Sequence, residues 1–132
     1  MRLYPPAWGL PRQAIGADEI GGYRIPAGSV FVLAQLLIHR HPEFWEEPDA
    51  FRPERFLGQP PPDRPRFAYF PFGGGPRVCI GAQFATIEAT LVLATVARRY
   101  GMELVPDHPV VPDPTFTLRP KHGVRVMLRR RG

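Results

Sequence analysis

The sequence predicts a mixed α+β chain: small strands and hairpins, a cysteine-bearing loop, one long apolar helix and a C-terminal β-hairpin. Three observations predict it. Residues 82–100 are the one long stretch with helical apolar spacing, at Phe84, Ile87, Leu91 and Ala94. Elsewhere 18 prolines and 13 glycines divide the 132 residues into pieces too short for long helices. The only cysteine, Cys79, lies directly ahead of that helix in the run Phe72-Gly73-Gly74-Gly75-Pro76-Arg77-Val78-Cys79-Ile80-Gly81.

Taken in order, residues 3–38 read as strand and turn, since Pro5, Pro6 and Pro11 oppose helix. Strands are expected over 20–25 and 29–33, joined by the turn Pro26-Ala27-Gly28. Residues 42–47 suggest one short helix, and 49–57 lead into an irregular stretch, 58–70, rich in proline and arginine. In the long helix Ala85, Val92 and Val96 widen the apolar surface, so the helix must be covered on nearly every side. Arg98 and Arg99 suit its C-terminus, with Gly101 as a left-handed cap. The tail predicts short strands at 110–111, 115–119 and 124–128, interrupted by Pro112, Pro114 and residues 120–123.

Composition narrows the function. The length suits one domain, and 44% hydrophobic residues argue against wholesale disorder. A single cysteine excludes an internal disulfide and suits a reducing compartment, so a cytoplasmic location is expected. The net charge of +5 includes the run Arg129-Arg130-Arg131, read as a solvated tail and not as a nucleic-acid surface. The apolar run 80–97 carries Gln83 and Glu88, which fits a buried helix better than a membrane span. No secretory signal opens the sequence, and no membrane anchor is expected in this chain.

A cysteine at a helix N-terminus sits where backbone N–H groups lack partners and the dipole favours an anionic ligand atom. One thiolate cannot close a zinc or iron–sulfur site, but it can be the sole protein ligand of a haem iron. The spacing Phe-x-x-Gly-x-Arg-x-Cys-x-Gly, met at Phe72, Gly75, Arg77, Cys79 and Gly81, resembles the cysteine-loop signature of the cytochrome P450 superfamily, the haem-thiolate monooxygenases. The resemblance implies that Cys79 is the axial ligand of haem b (iron protoporphyrin IX) and that Arg77 holds a haem propionate. Phe72 would shield the sulfur, and Gly73, Gly74, Gly75 and Gly81 would let the loop pass close under the macrocycle.

The likeness extends along the chain. Arg2, ahead of Pro5-Pro6, matches the arginine of the family's Glu-x-x-Arg motif, and Arg55 that of its Pro-Glu-Arg-Phe segment, here Pro53-Glu54-Arg55-Phe56. Both would be structural. With the glutamate falling before the first residue, the two arginines are expected to face each other uncompensated, at a cost of about 3–5 kcal/mol. Arg12 is expected at a propionate. Ala7, flanked by Pro6 and Trp8, and the hairpin-tip pair Phe116 and Thr117 are expected at substrate. His39 and His41 look like a metal pair by composition alone, but the resemblance makes their segment structural, with His39 bonding backbone or a propionate. Arg64 and Arg66 would face an acidic electron donor, a reductase or ferredoxin, on the proximal side.

By the resemblance, residues 1–132 are the C-terminal part of one mainly α, multihelical cytochrome P450 domain. The parent protein would then be a haem- and iron-binding monooxygenase that uses O2 to hydroxylate or epoxidise an apolar small molecule. A haem-thiolate peroxygenase or isomerase and a non-catalytic remnant are the alternatives. Residues 1–132 alone are expected to be inactive.

Overall fold

Glycine pairs and prolines set the backbone of the first unit, residues 1–71. The computed structural model describes residues 1–59 and 61–132, so the irregular stretch expected over 58–70 includes one residue, Pro60, outside the described residues. Strand β1 (Leu10–Gln13) leads to a tight hairpin of β2 (Asp18–Ile20) and β3 (Tyr23–Ile25). The hairpin turns at Gly21 and Gly22, whose φ values of +57° and +83° are the left-handed pair a two-residue turn demands. The single strand expected over 20–25 is therefore corrected to a turn followed by a strand. β4 (Val30–Leu33) pairs antiparallel with β1, placing Leu10 opposite Leu33 and Gln13 opposite Val30.

One helical turn follows, α1 (Gln35–Ile38), where strand and turn were expected. The Leu36 amide donates to the Trp8 carbonyl, and the Ile38 amide to Ala34. The short helix expected over 42–47 is absent. The Phe44 and Trp45 amides both reach His41, and Glu47, at φ +43°, stops the chain from propagating. Short 3₁₀ turns occupy Pro53–Phe56 and Arg66–Ala68. This unit holds the core: Trp45, Ala68 and Phe70, with Pro5, Arg2, Gln35 and His39 buried among them.

The second unit, residues 72–132, opens with a 3₁₀ turn, Gly75–Arg77, and then the long helix α2 (Ala82–Arg99). No left-handed cap ends α2. Tyr100 is already extended, and Gly101 lies within β5 (Tyr100–Leu104), because β5 pairs at once with β8 (Val126–Arg130), Tyr100 opposite Arg130 and Leu104 opposite Val126. Between them β6 (Pro112–Asp113) and β7 (Arg119–Pro120) form a short ladder. The tail strands thus fall two to four residues from the expected positions, and β5 was not expected. Proline interrupted the apolar pattern that sequence reading relies on.

No residue of α2 is buried within its unit, and Phe84 is 71% exposed, Ile87 60% and Leu91 62%. Among the described residues no helix is long and apolar enough to cross a membrane.

Candidate functional site

The sulfur of Cys79 is free and exposed. Its loop is held from within: the Cys79 amide donates to the Phe72 carbonyl at 2.9 Å, and the Val78 amide to Gly75 at 3.1 Å. Gly73 and Gly75 have φ of +76° and +68°, which only glycine adopts without strain. Gly74 is fully extended and carries no such demand. Gly81 corrects the expectation of special backbone freedom there: it is the residue before α2, with φ −84°, and a methyl group added to it would lie 3.8 Å from Cys79 Sγ, an ordinary contact. No side chain caps the first turn of α2, and the Ala82 amide reaches back to the Cys79 carbonyl at 3.3 Å.

A haem fits this donor set. The only thiol is exposed beside a helix start, on a loop with glycines at positive φ, and a single thiolate suffices for haem iron. Arg77 ends the 3₁₀ turn two residues before the sulfur, exposed and in no ion pair among the described residues. Phe72 is half-buried and contributes its carbonyl to the loop. Phe116 is 90% exposed in the loop between β6 and β7, with Thr117 beside it. The Thr115 amide and hydroxyl both donate to the Asp113 carboxylate, holding its pKa below the usual range.

In the first unit Arg12 lies on β1 opposite Phe31, half-buried, and donates to the Pro11 carbonyl at 2.8 Å. Ala7 and Trp8 are half-buried in the loop before β1. Arg2 is buried but not uncompensated: its guanidinium donates to the carbonyls of His39 at 2.9 Å, Pro48 at 2.6 Å and Ala50 at 2.9 Å. Arg55 donates to the Glu47 carbonyl at 3.0 Å. The expected repulsion between Arg2 and Arg55 is present, but Arg2 is not uncompensated, since three backbone carbonyls take its donors. Burial first, then the neighbouring Arg55 and Arg40 charges, lowers the pKa of Arg2.

His39 is fully buried. Its Nε2 accepts the Phe70 amide at 2.9 Å, the backbone bond expected of it, and the ring offers no exposed edge to a propionate. Burial is the main cause that lowers its pKa to about 4, with the N-terminal charge adding to it. His41 is exposed, and its Nδ1 accepts the Glu43 amide at 3.3 Å, so the two rings serve separate backbone contacts. Arg64 stacks over Trp45, 4.1 Å from the ring centre, and Arg66 over Phe67 at 5.4 Å.

Sequence reading missed Gln35, whereas Trp45 lies in the segment that the resemblance makes structural. Both are buried, Gln35 donating to the Phe70 carbonyl and Trp45 to the Ala68 carbonyl at 3.2 Å. A lone glutamine within the apolar run 30–38 was the available signal.

Comparison with known proteins follows the same direction. The family model described as Cytochrome P450 matches residues 1–126. Cytochrome P450 132 of Mycobacterium tuberculosis is 45% identical over 130 residues, covering 98% of this chain and 28% of that protein. Cyclooctatin synthase of Streptomyces melanosporofaciens is 40% identical over 118 residues, 89% of this chain and 26% of that one. Among solved structures, retinoic acid-bound cyanobacterial CYP120A1 superposes with a TM-score of 0.91 at 32% identity, over 98% of this chain and 30% of that one. The chain thus spans under a third of the length of each of these relatives.

Proposed function

This chain belongs to the cytochrome P450 family, whose cofactor is haem, and from that premise we propose that it forms the cysteine-ligand part of a haem-thiolate monooxygenase. One observation carries the reading: the sole cysteine is free and exposed, and its amide is bonded to the Phe72 carbonyl directly before α2. When bound, haem supplies oxygen activation, with electron density from the thiolate favouring O–O cleavage.

The chain's own residues hold and orient. Cys79 Sγ ligates the iron, and the Phe72–Cys79 backbone bond fixes where it stands. The Arg77 guanidinium, planar and permanently charged, pairs with a propionate, and Arg12 is the second candidate for that task. Phe72 limits water at the sulfur. Ala7, Phe116 and Thr117 contact an apolar substrate, which is hydroxylated or epoxidised with O2. Arg64 and Arg66 offer positive charge to an acidic electron donor, a reductase or ferredoxin, mainly speeding encounter. Arg2 and Arg55 hold the fold. Residues 1–132 alone do not turn over, since α2 exposes an apolar surface that needs covering.

The test is spectroscopic. The haem-loaded protein, reduced and given carbon monoxide, shows the red-shifted Soret band of axial thiolate, and Cys79→Ser loses it. An unchanged spectrum in Cys79→Ser refutes the assignment.

A further inference from the structure

One residue of the first unit, Phe70, is held at both of its backbone polar groups by side chains that stand one helical turn apart. Its amide donates to His39 Nε2 at 2.9 Å, and Gln35 Nε2 donates to its carbonyl. Gln35 opens α1 and His39 ends it, the His39 amide closing the turn on the Gln35 carbonyl at 2.8 Å, so the two side chains share a face. Both residues are 0% exposed. The His39 ring is uncharged at neutral pH, its pKa lying at about 4. A ring nitrogen that accepts carries no proton, so the uncharged imidazole bears its one proton on Nδ1. Nδ1 is therefore a donor. Gln35, with Nε2 committed to Phe70, keeps Oε1 as an acceptor. Both atoms are buried, and neither meets a hydrogen-bonding partner among the described residues.

Leaving a buried donor or acceptor unpaired is costly, and native interiors pair nearly all of them. We propose that one internal water bridges His39 Nδ1 and Gln35 Oε1. Water suits the site because its two ends ask for opposite roles: the water oxygen accepts from Nδ1–H, and the water donates to Oε1. A metal cation is repelled by the proton on Nδ1, and an anion is opposed by the amide oxygen. Two polar partners meet the least that a buried water needs. With the water in place the hydrogen bonds run in one sense round a closed ring. They pass from the Phe70 amide to His39, from His39 to the water, from the water to Gln35, and from Gln35 back to the Phe70 carbonyl. Every donor meets an acceptor, so these bonds polarise one another and hold Phe70 in one conformation. All the protein groups of the ring belong to residues 1–71, and none involves Cys79.

The experiment uses the haem-loaded protein with isotope-labelled histidine, in its reduced, carbon monoxide-bound and diamagnetic form. The ring nitrogens of His39 are identified by NMR from the signals that His39→Gln removes. They are expected to show a proton on Nδ1 and none on Nε2. That proton is expected to give a cross-peak at the water frequency, with the sign of a long-lived internal water. Gln35→Met deletes the acceptor oxygen at similar volume and is expected to lose the cross-peak while helical circular dichroism stays unchanged. A proton on Nε2, no water cross-peak from the Nδ1 proton, or a cross-peak undiminished in Gln35→Met overturns the bridge. Where a variant does not fold, a crystal structure of the unsubstituted protein decides. An ordered water within hydrogen-bonding distance of both Nδ1 and Oε1 upholds the bridge. A direct bond between the two atoms, a protein side chain bonded to either, or no density between them overturns it.

Discussion

Acidification should unlock the first unit through one ring. His39 is buried and uncharged, with a pKa of about 4 against 6.5 when exposed. The unfolded chain therefore binds a proton here that the folded chain refuses. Between these two values stability rises with pH: the full contribution is present above about 6.5 and is lost progressively as pH falls towards 4. At 1.36 kcal/mol per pKa unit, the whole shift is worth at most about 3 kcal/mol, and about 2 kcal/mol has gone by pH 5. The measurement is a difference between wild type and His39→Gln, which keeps an acceptor for the Phe70 amide but cannot ionise. Both tryptophans, Trp8 and Trp45, lie in this unit, so urea unfolding followed by their fluorescence reports on it. Wild type should lose about 2 kcal/mol more than the variant between pH 7.5 and pH 5. Parallel pH profiles would refute the argument, because they would mean that protonating His39 costs nothing and the ring is not held as an acceptor.

Two further outcomes follow from backbone and carboxylate geometry. Gly75→Ala forces a side chain into φ +68° with open space around it, so the cost is purely conformational, about 1–2 kcal/mol in denaturant unfolding. Gly81→Ala, at φ −84°, should change stability by less than about 0.5 kcal/mol, so any loss of haem affinity in that variant, read by haem titration, comes from the macrocycle and not from the fold. Thr115→Val removes the hydroxyl donor to Asp113 and should raise that carboxyl towards its ordinary pKa, read by NMR titration of its side-chain carbon, with the Thr115 amide contact keeping part of the shift.

What could be read from residues alone divides along a physical line. The cysteine loop and α2 were legible because local chemistry decides them: glycines at positive φ, a proline-primed turn and a helical apolar period act within a few residues of one another. The short strands were not, because their partners are remote. β4 pairs with β1 across an intervening hairpin, and β5 with β8 across twenty-one residues, so neither periodicity nor turn residues nearby could say which edge each would join. Arg2 shows the same limit from the side of charge. By the resemblance it is a cation missing its acid. In the folded chain three carbonyls, from His39, Pro48 and Ala50, surround the guanidinium, and those carbonyls are anonymous in a sequence. A planar fork spreads its donors over separate nitrogens, so Nη1 and Nη2 reach carbonyls of three residues, a spread that the single nitrogen of a lysine lacks. The choice of arginine at position 2 therefore has a reason within the first unit itself: it ties the start of the chain to the same 39–50 segment that supplies His39 to the Phe70 amide and Trp45 to the Ala68 carbonyl.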